Sequence, residues 1–135
     1  MTYRKAEIRP FVAADEPLLF GLASLDRGAD RRTLAVLERE TVFVAEMEGG
    51  PAGYVALRRA GEAICVDQLF VSPEHEGEGV GRQLLEYAEG YAISEGALAL
   101  QAVVSSDDRR ALDFYRSRGF VQAGEDLFEI ILPRR

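Results

Sequence analysis

The chain has 135 residues, of which 47% are hydrophobic and 29% charged, and its formal net charge is −7. This length and composition predict one soluble globular domain over residues 1–135. The negative charge argues against general nucleic-acid binding, which needs a basic surface, and suits a positively charged partner. The single cysteine excludes an internal disulfide and disfavours a cysteine-based site, so we expect no metal. Without an apolar run of about 18 residues or a basic-then-apolar N-terminus, we expect no membrane span or secretory signal and a cytoplasmic location.

The first half of the chain shows strand and helix patterns in alternation. Apolar residues alternate at the N-terminus, leucines then recur at helical spacing, and a Glu-Gly-Gly-Pro turn signature separates two apolar runs as in a β-hairpin. These patterns predict strands over residues 3–9, 41–47, 53–58 and 63–71, and helices over residues 13–25 and 31–39.

The second half continues with a glycine-rich segment and a helical pattern that ends near Gly96. The near-continuous apolar run over residues 98–104 predicts a buried strand. N-cap candidates at residues 105–108 then open a helix that runs through Arg118, and strands over residues 120–122 and 127–132 follow. The predicted order is β-α-α-β-β-β-α-β-α-β-β, a mixed α/β sheet with helices on both faces.

Three alternating glycines form the most informative segment. Gly77, Gly79 and Gly81 lie between an apolar strand end and a helix. Without Cβ atoms they let a ligand approach the backbone, and the first N–H groups of the helix lack intrahelical partners and suit a phosphate or pyrophosphate. The segment has no lysine for a Walker-type loop and does not fit a dinucleotide fingerprint. A simple connecting turn is the alternative interpretation.

The only cysteine and the only histidine carry little functional signal. Cys65 lies in an apolar alternation, which favours a small buried hydrophobic residue over a nucleophile. His75 lies in a predicted loop among acidic residues, with no supporting Ser-His-Asp pattern, which favours a solvated side chain over a catalytic one.

Two segments resemble the GCN5-related N-acetyltransferase superfamily, and the resemblance runs over nearly the whole chain. Asp67-Gln-Leu-Phe-Val71 followed by Ser-Pro-Glu is similar to the family's fourth strand and its exit, and residues 77–81 are similar to its pyrophosphate loop. Asp108-x-x-Ala111-x-x-x-Tyr115-x-x-x-Gly119-Phe is similar to its late helix. Two matched segments in the right order are more specific than either one alone.

Two residues depart from the family pattern. Glu76 stands where the family usually has Gln or Arg, and a carboxylate beside a pyrophosphate is unfavourable unless it points to water. Asp108 stands where the late helix usually has Asn, and Asp can still cap the helix or accept hydrogen bonds.

The resemblance implies acetyl-coenzyme A as donor and a primary amine of a small molecule or peptide as acceptor. It assigns Tyr115 as general acid, Asp67 as a carboxylate base acting through water, and the backbone N–H near Phe70 as an oxyanion donor. Core packing is the alternative for Tyr115, and a structural acid is the alternative for Asp67. The cofactor-binding residues that the resemblance implies are Leu69, Phe70, Val71, Glu76, Gly77, Glu78, Gly79, Val80, Gly81, Arg82, Asp108, Ala111, Phe114, Tyr115 and Arg118.

Two functions without turnover compete with the enzyme. The same fold could hold coenzyme A or an acyl-coenzyme A as a sensor, which Glu76 favours, or could bind a partner through a degenerate cleft. The three glycines and Tyr115 count against the degenerate cleft. Acceptor identity stays open among amino acids, polyamines, aminoglycosides, peptide N-termini and protein lysines, and the resemblance allows a homodimer.

Overall fold

A computed structural model describes residues 5–23 and 39–133 of the chain. Its elements are β1 (Glu7–Pro10), α1 (Glu16–Ala23), β2 (Thr41–Met47), β3 (Gly50–Ala60), β4 (Ala63–Val71), α2 (Val80–Ser94), β5 (Ala99–Val103), α3 (Arg109–Ser117), β6 (Val121–Gln122) and β7 (Leu127–Ile131), with short 3₁₀ turns at Ala13–Asp15 and Pro73–His75. The seven strands form one mixed sheet in the order β1-β2-β3-β4-β5-β7-β6. No helix in these two ranges is long and apolar enough to cross a membrane.

Internal contacts divide the chain into two compact units. The first unit comprises Met1–Leu57 and Gln68–Ala88, and the second comprises Arg58–Asp67 and Glu89–Arg135.

An antiparallel meander and the start of α2 build the first unit. β1 pairs with β2, and β2 pairs with β3 through a two-residue turn in which Gly49 has a φ of 97°. This left-handed conformation favours glycine, which explains the turn signature. The buried side chains of the central cluster are Leu19, Val42, Val44, Tyr54 and Ala56.

An ion-paired cluster joins β1 to the start of the first helical segment. Arg9 donates from Nη1 and Nη2 to the two carboxylate oxygens of Asp15, each at 2.8 Å, and from Nη2 to Glu46 at 3.1 Å. The hydrogen bond from Arg9 lowers the pKa of the buried Asp15 carboxyl. Asp15 also accepts from the Val12 N–H at 2.9 Å, so a buried charge with several partners fixes this corner.

The second unit contains the parallel part of the sheet. β4 and β5 pair in parallel from Ala63↔Ala99 to Val66↔Ala102, and β7 pairs antiparallel with both β5 and β6. Leu100 on β5 and Phe128 on β7 are almost fully buried. The apolar run of β5 predicts the burial of Leu100, whereas Val103 at the end of β5 is exposed.

The mixed α/β sheet predicted from the sequence is confirmed. β2 and β4 have the predicted bounds, whereas β3 begins three residues earlier than predicted because Gly50 and Pro51 extend the ladder opposite Met47 and Glu46. The predicted helix over residues 31–39 falls almost entirely outside the part of the chain that the structure describes.

Candidate active site

The glycine segment forms a turn that leads directly into α2. Gly77 and Gly79 have φ values of 79° and 83°, which favour glycine, and the helix begins at Val80. A Cβ atom on Gly77 would meet no other atom within 4 Å. In the protein alone, Gly77 is therefore required by its backbone conformation rather than by lack of space.

The charged side chains around this turn have defined positions. Glu76 is exposed. His75 Nδ1 lies 2.8 Å from Glu78 Oε1, and the His75 side chain is only 17% exposed. The expectation of a simply solvated histidine is wrong, because the Glu78 carboxylate engages the ring. Arg82 forms an exposed i,i+4 pair with Glu86 at 3.3 Å, a geometry that leaves its guanidinium accessible to solvent.

A glycine in the neighbouring strand allows close approach to the end of β4. Leu69, Phe70 and Val71 are half-buried. A Cβ atom on Gly53 would clash with the carbonyl oxygen of Phe70 and would lie 3.2 Å from the Cα of Val71. Only glycine fits between these backbones, so Gly53 determines where the backbone of Phe70 and Val71 lies.

Hydrogen bonds and ring contacts further fix this end of β4. Ser72, which is buried, donates its N–H to the Ala52 carbonyl at 2.7 Å. The Tyr54 hydroxyl donates to Gln68 Oε1 at 2.7 Å, and its ring centroid lies 5.9 Å from that of Phe70.

Asp67 lies in the second unit, where an arginine holds its carboxylate. Arg58 Nε lies 2.9 Å from Oδ1 and 2.8 Å from Oδ2 of Asp67. The two side chains are 47% and 21% exposed, so the pair is partly solvated. The parallel β4–β5 ladder ends at Val66↔Ala102, and Val103, the next residue of β5, is 65% exposed. Asp67 therefore follows the last parallel pair, where the two strands cease to be joined in that ladder.

Tyr115 lies on α3, which the predicted cap initiates. Asp108 Oδ1 accepts the Ala111 N–H at 3.0 Å, and this bond confirms that Asp can replace the usual Asn as N-cap. Tyr115 is buried, and the rings of Phe114 and Phe120 lie edge-on to it, each at 5.2 Å. Burial raises the pKa of the Tyr115 phenol, with smaller contributions from Cys65 and Asp108. The phenol is thus protonated at neutral pH, as a proton donor must be.

The end of α3 presents Arg118 at its C-cap. Its N–H is shared between the carbonyls of Phe114 and Tyr115, at 3.2 and 3.0 Å. Gly119 follows with a φ of 95°, which confirms it as the helix stop.

The candidate residues fall into two groups. The strand end Leu69–Val71 and the glycine segment belong to the first unit, and Asp67 and residues 108–118 belong to the second.

Sequence reasoning missed Gly53, Arg58 and Gln83. Gln83 had a detectable signal, because it is a polar residue one helical turn after Val80, on the apolar side of α2.

The residues of the first unit suit the diphosphate of coenzyme A. Two glycines at positive φ, the start of a 15-residue helix and the exposed Arg82 combine backbone donors, a helix dipole and a cation. The half-buried strand end at Leu69–Val71 could pair with the amides of a pantetheine arm.

Comparison with known proteins identifies the family. The model of the acetyltransferase (GNAT) domain matches residues 38–122, which is more than half of the chain. A streptothricin acetyltransferase from Streptomyces lavendulae is 30% identical over 120 residues, covering 85% of this chain and 63% of that protein. The spermidine N(1)-acetyltransferase of Escherichia coli strain K12 is 30% identical over 103 residues, covering 70% of this chain and 53% of that protein.

A solved structure supports the same fold. PaiA N-acetyltransferase from Thermoplasma acidophilum, in complex with coenzyme A, has a TM-score of 0.75 at 16% identity, covering 96% of this chain and 99% of that chain. The chain spans between 40% and 63% of the length of the first curated relatives that it matches. The resemblance seen in the two sequence segments is thereby confirmed, and the chain belongs to the GNAT acetyltransferase family.

Proposed function

We propose that this protein transfers the acetyl group of acetyl-coenzyme A to a primary amine of a small molecule or peptide. The observation that carries the proposal is the turn in which Gly77 and Gly79, both at positive φ, lead into the first turn of α2. Membership of the family and the coenzyme A complex of a structural neighbour support it.

The chain offers a set of groups for each part of the donor. The glycine segment, Arg82 and the first N–H groups of α2 would hold the pyrophosphate. The backbone of Leu69–Val71 would pair with the pantetheine arm. Residues of α3 and its caps, namely Asp108, Ala111, Phe114 and Arg118, would contact the nucleotide and the adjoining arm.

Three groups of the protein would take part in the reaction. Bound acetyl-coenzyme A supplies an activated thioester carbonyl. The backbone N–H near Phe70 would stabilise negative charge on its oxygen, a contribution of about 3–4 kcal/mol when the donor is well aimed. Asp67 would take a proton from the amine through water, with Arg58 fixing the direction of its carboxylate. The amine nitrogen would form a C–N bond to the carbonyl carbon as the C–S bond breaks. Tyr115 would give its hydroxyl proton to the departing sulfur and regain a proton from solvent.

Burial of Tyr115 is compatible with this last step. Desolvation raises the pKa of the phenol, which keeps the proton in place but also holds it more tightly. The same desolvation would raise the pKa of a thiol that leaves as a thiolate. Because both pKa values would rise, the free energy of proton transfer from the phenol to the thiolate would change less than either pKa alone implies.

The net charge and the relatives both support a small amine as the acceptor. A protein with a net charge of −7 attracts cations, and primary amines are cationic near neutral pH. Relatives named for streptothricin and spermidine acetylation support a small amine acceptor. The proposal includes a cytoplasmic setting, where the lone buried Cys65 would stay reduced, and homodimer formation stays a prediction.

A panel of amines incubated with acetyl-coenzyme A tests the proposal. Release of free thiol that depends on both protein and amine, with acetylated amine detected by mass spectrometry, is the expected result. Binding of coenzyme A by calorimetry without thiol release for any amine class would favour a sensor instead.

A further inference from the structure

The side chain of a buried glutamine forms a hydrogen bond to the glycine segment. Gln83, on the first turns of α2, is 8% exposed. Its Nε2 donates to the Gly79 carbonyl at 3.2 Å, and its own backbone N–H donates to the same carbonyl at 3.1 Å. One carbonyl of the segment is therefore held by two donors of a single residue.

The amide oxygen of the same side chain accepts a hydrogen bond from the segment that precedes β1. Gln83 Oε1 accepts the N–H of the buried Ala6 at 2.8 Å, just before β1 begins. This bond assigns the oxygen and the nitrogen of the amide, because only the oxygen can accept. The side chain therefore braces the glycine turn against the chain that enters β1.

Holding the Gly79 carbonyl also orients the next N–H group. A peptide unit is planar, with its C=O and N–H on opposite sides, so fixing the carbonyl of Gly79 fixes the N–H of Val80. Val80 opens α2, and the first N–H groups of a helix face away from it, where they are available to an anion. A glycine at φ 83° would otherwise permit many orientations of this peptide.

We propose that Gln83 is a positioning residue that pre-orients the Gly79–Val80 peptide for the diphosphate of the acyl donor. The inference rests on the proposed function and adds a residue to it. Ordering this peptide before binding lowers the cost of binding, so loss of the brace weakens affinity rather than chemistry. The effect is confined to ligands that carry the diphosphate.

The test compares two acyl donors, acetyl-coenzyme A and S-acetylpantetheine, in Gln83→Met, which keeps the length of the side chain and removes both of its side-chain hydrogen bonds. The backbone hydrogen bond from residue 83 to the Gly79 carbonyl remains. Losing one buried hydrogen bond corresponds to about a five- to tenfold change. We expect KM for acetyl-coenzyme A and Kd for coenzyme A to rise about five- to tenfold, with kcat unchanged. KM for S-acetylpantetheine, which lacks the diphosphate, should stay within twofold.

The matched control is Gln122→Met. Gln122 Nε2 likewise donates to a glycine carbonyl, that of Gly124 at 3.0 Å, in an exposed turn after β6. This substitution should leave KM for both acyl donors and Kd for coenzyme A unchanged. Thermal denaturation of each variant, with and without coenzyme A, measures general destabilisation separately.

Two results would overturn the inference alone. They are unchanged coenzyme A affinity in Gln83→Met, and an equal loss for both donors, which would indicate a merely structural role. Failure of the wild-type protein to bind coenzyme A would instead overturn the proposed function, and the inference with it.

Discussion

At the residue scale, removing the hydroxyl of Tyr115 distinguishes a role in proton donation from a role in packing. Tyr115→Phe preserves the edge-on contacts with Phe114 and Phe120 but removes the proton donor. We expect kcat to fall by about 10²-fold or more while Kd for coenzyme A is unchanged. Steady-state kinetics with calorimetry measure both quantities. A kcat within twofold of wild type at neutral pH would show that Tyr115 serves only the core.

The raised pKa of Tyr115 also predicts an alkaline dependence of stability. The unfolded state loses the phenol proton near pH 10, while the folded state retains it. Above about pH 10 the unfolded state binds fewer protons than the native state, so the free energy of unfolding falls as pH rises.

The size of this dependence is set by the difference in protonation. Between pH 10 and 11, Tyr115 contributes a loss of at most about 1.4 kcal/mol. Urea denaturation of wild type and Tyr115→Phe over this range checks it, because the variant should lose less stability per pH unit. Identical slopes would contradict a raised pKa of the Tyr115 phenol in the folded protein.

Glu76 is the residue at which the chain departs from its family beside the proposed pyrophosphate site. Its side chain is exposed, so water and salt screen any repulsion with a bound phosphate. We expect Glu76→Gln to tighten coenzyme A binding by about 0.2–1 kcal/mol at low ionic strength, with the gain shrinking as salt rises. Calorimetric titrations at two salt concentrations measure this. Weaker binding by the variant would mean that the carboxylate helps to order the turn.

At the element scale, the turn between β4 and α2 depends on glycine for its shape. Gly79 has a φ of 83°, where a β-branched residue is strained by about 1–3 kcal/mol. We expect Gly79→Val to abolish most coenzyme A binding while the domain stays folded, as circular dichroism and calorimetry can establish.

The turn between β3 and β4 provides the matched control for this substitution. Gly61 has a φ of 63° and open space around it, and it belongs to no proposed site. Gly61→Val should lose comparable stability and retain coenzyme A affinity. Equal affinity in both variants would show that the glycines before α2 form a connecting turn and nothing more.

Local patterns were sufficient to predict most elements from the sequence. The apolar runs of β2 and β4 and the Asp108 cap of α3 each depend on a few neighbouring residues, and the structure confirms the bounds of both strands and the cap. The early start of β3 was missed because Gly50 and Pro51 look like turn residues, and only their pairing with β2 places them in a strand.

The supporting residues of the candidate site could not be predicted in the same way. Gly53 is one glycine among 13 until its contact with the backbone of Phe70 is known. Arg58 and Asp67 lie on adjacent strands, so their pairing depends on register rather than on local sequence. Gln83 is detectable as a polar residue on the apolar side of α2, but its contact with Ala6, 77 residues away along the chain, is not. Such long-range contacts leave no periodic signal.

At the scale of the whole molecule, charge and family membership constrain the acceptor more than any single residue does. In the proposed reaction, the net charge of −7 would favour cationic acceptors through long-range attraction, which salt weakens. The chain spans about half of its curated relatives, so the acceptor must be established for this protein directly.

Amine-dependent thiol release from acetyl-coenzyme A tests the central claim most directly. Wild-type protein is incubated with acetyl-coenzyme A and one amine in each reaction. The amines are a polyamine, an aminoglycoside, free amino acids and a peptide with a free N-terminus. We expect thiol release with at least one class, matched by an equal amount of acetylated amine in the mass spectrum. Tight coenzyme A binding with no amine-dependent release from any class would contradict the account.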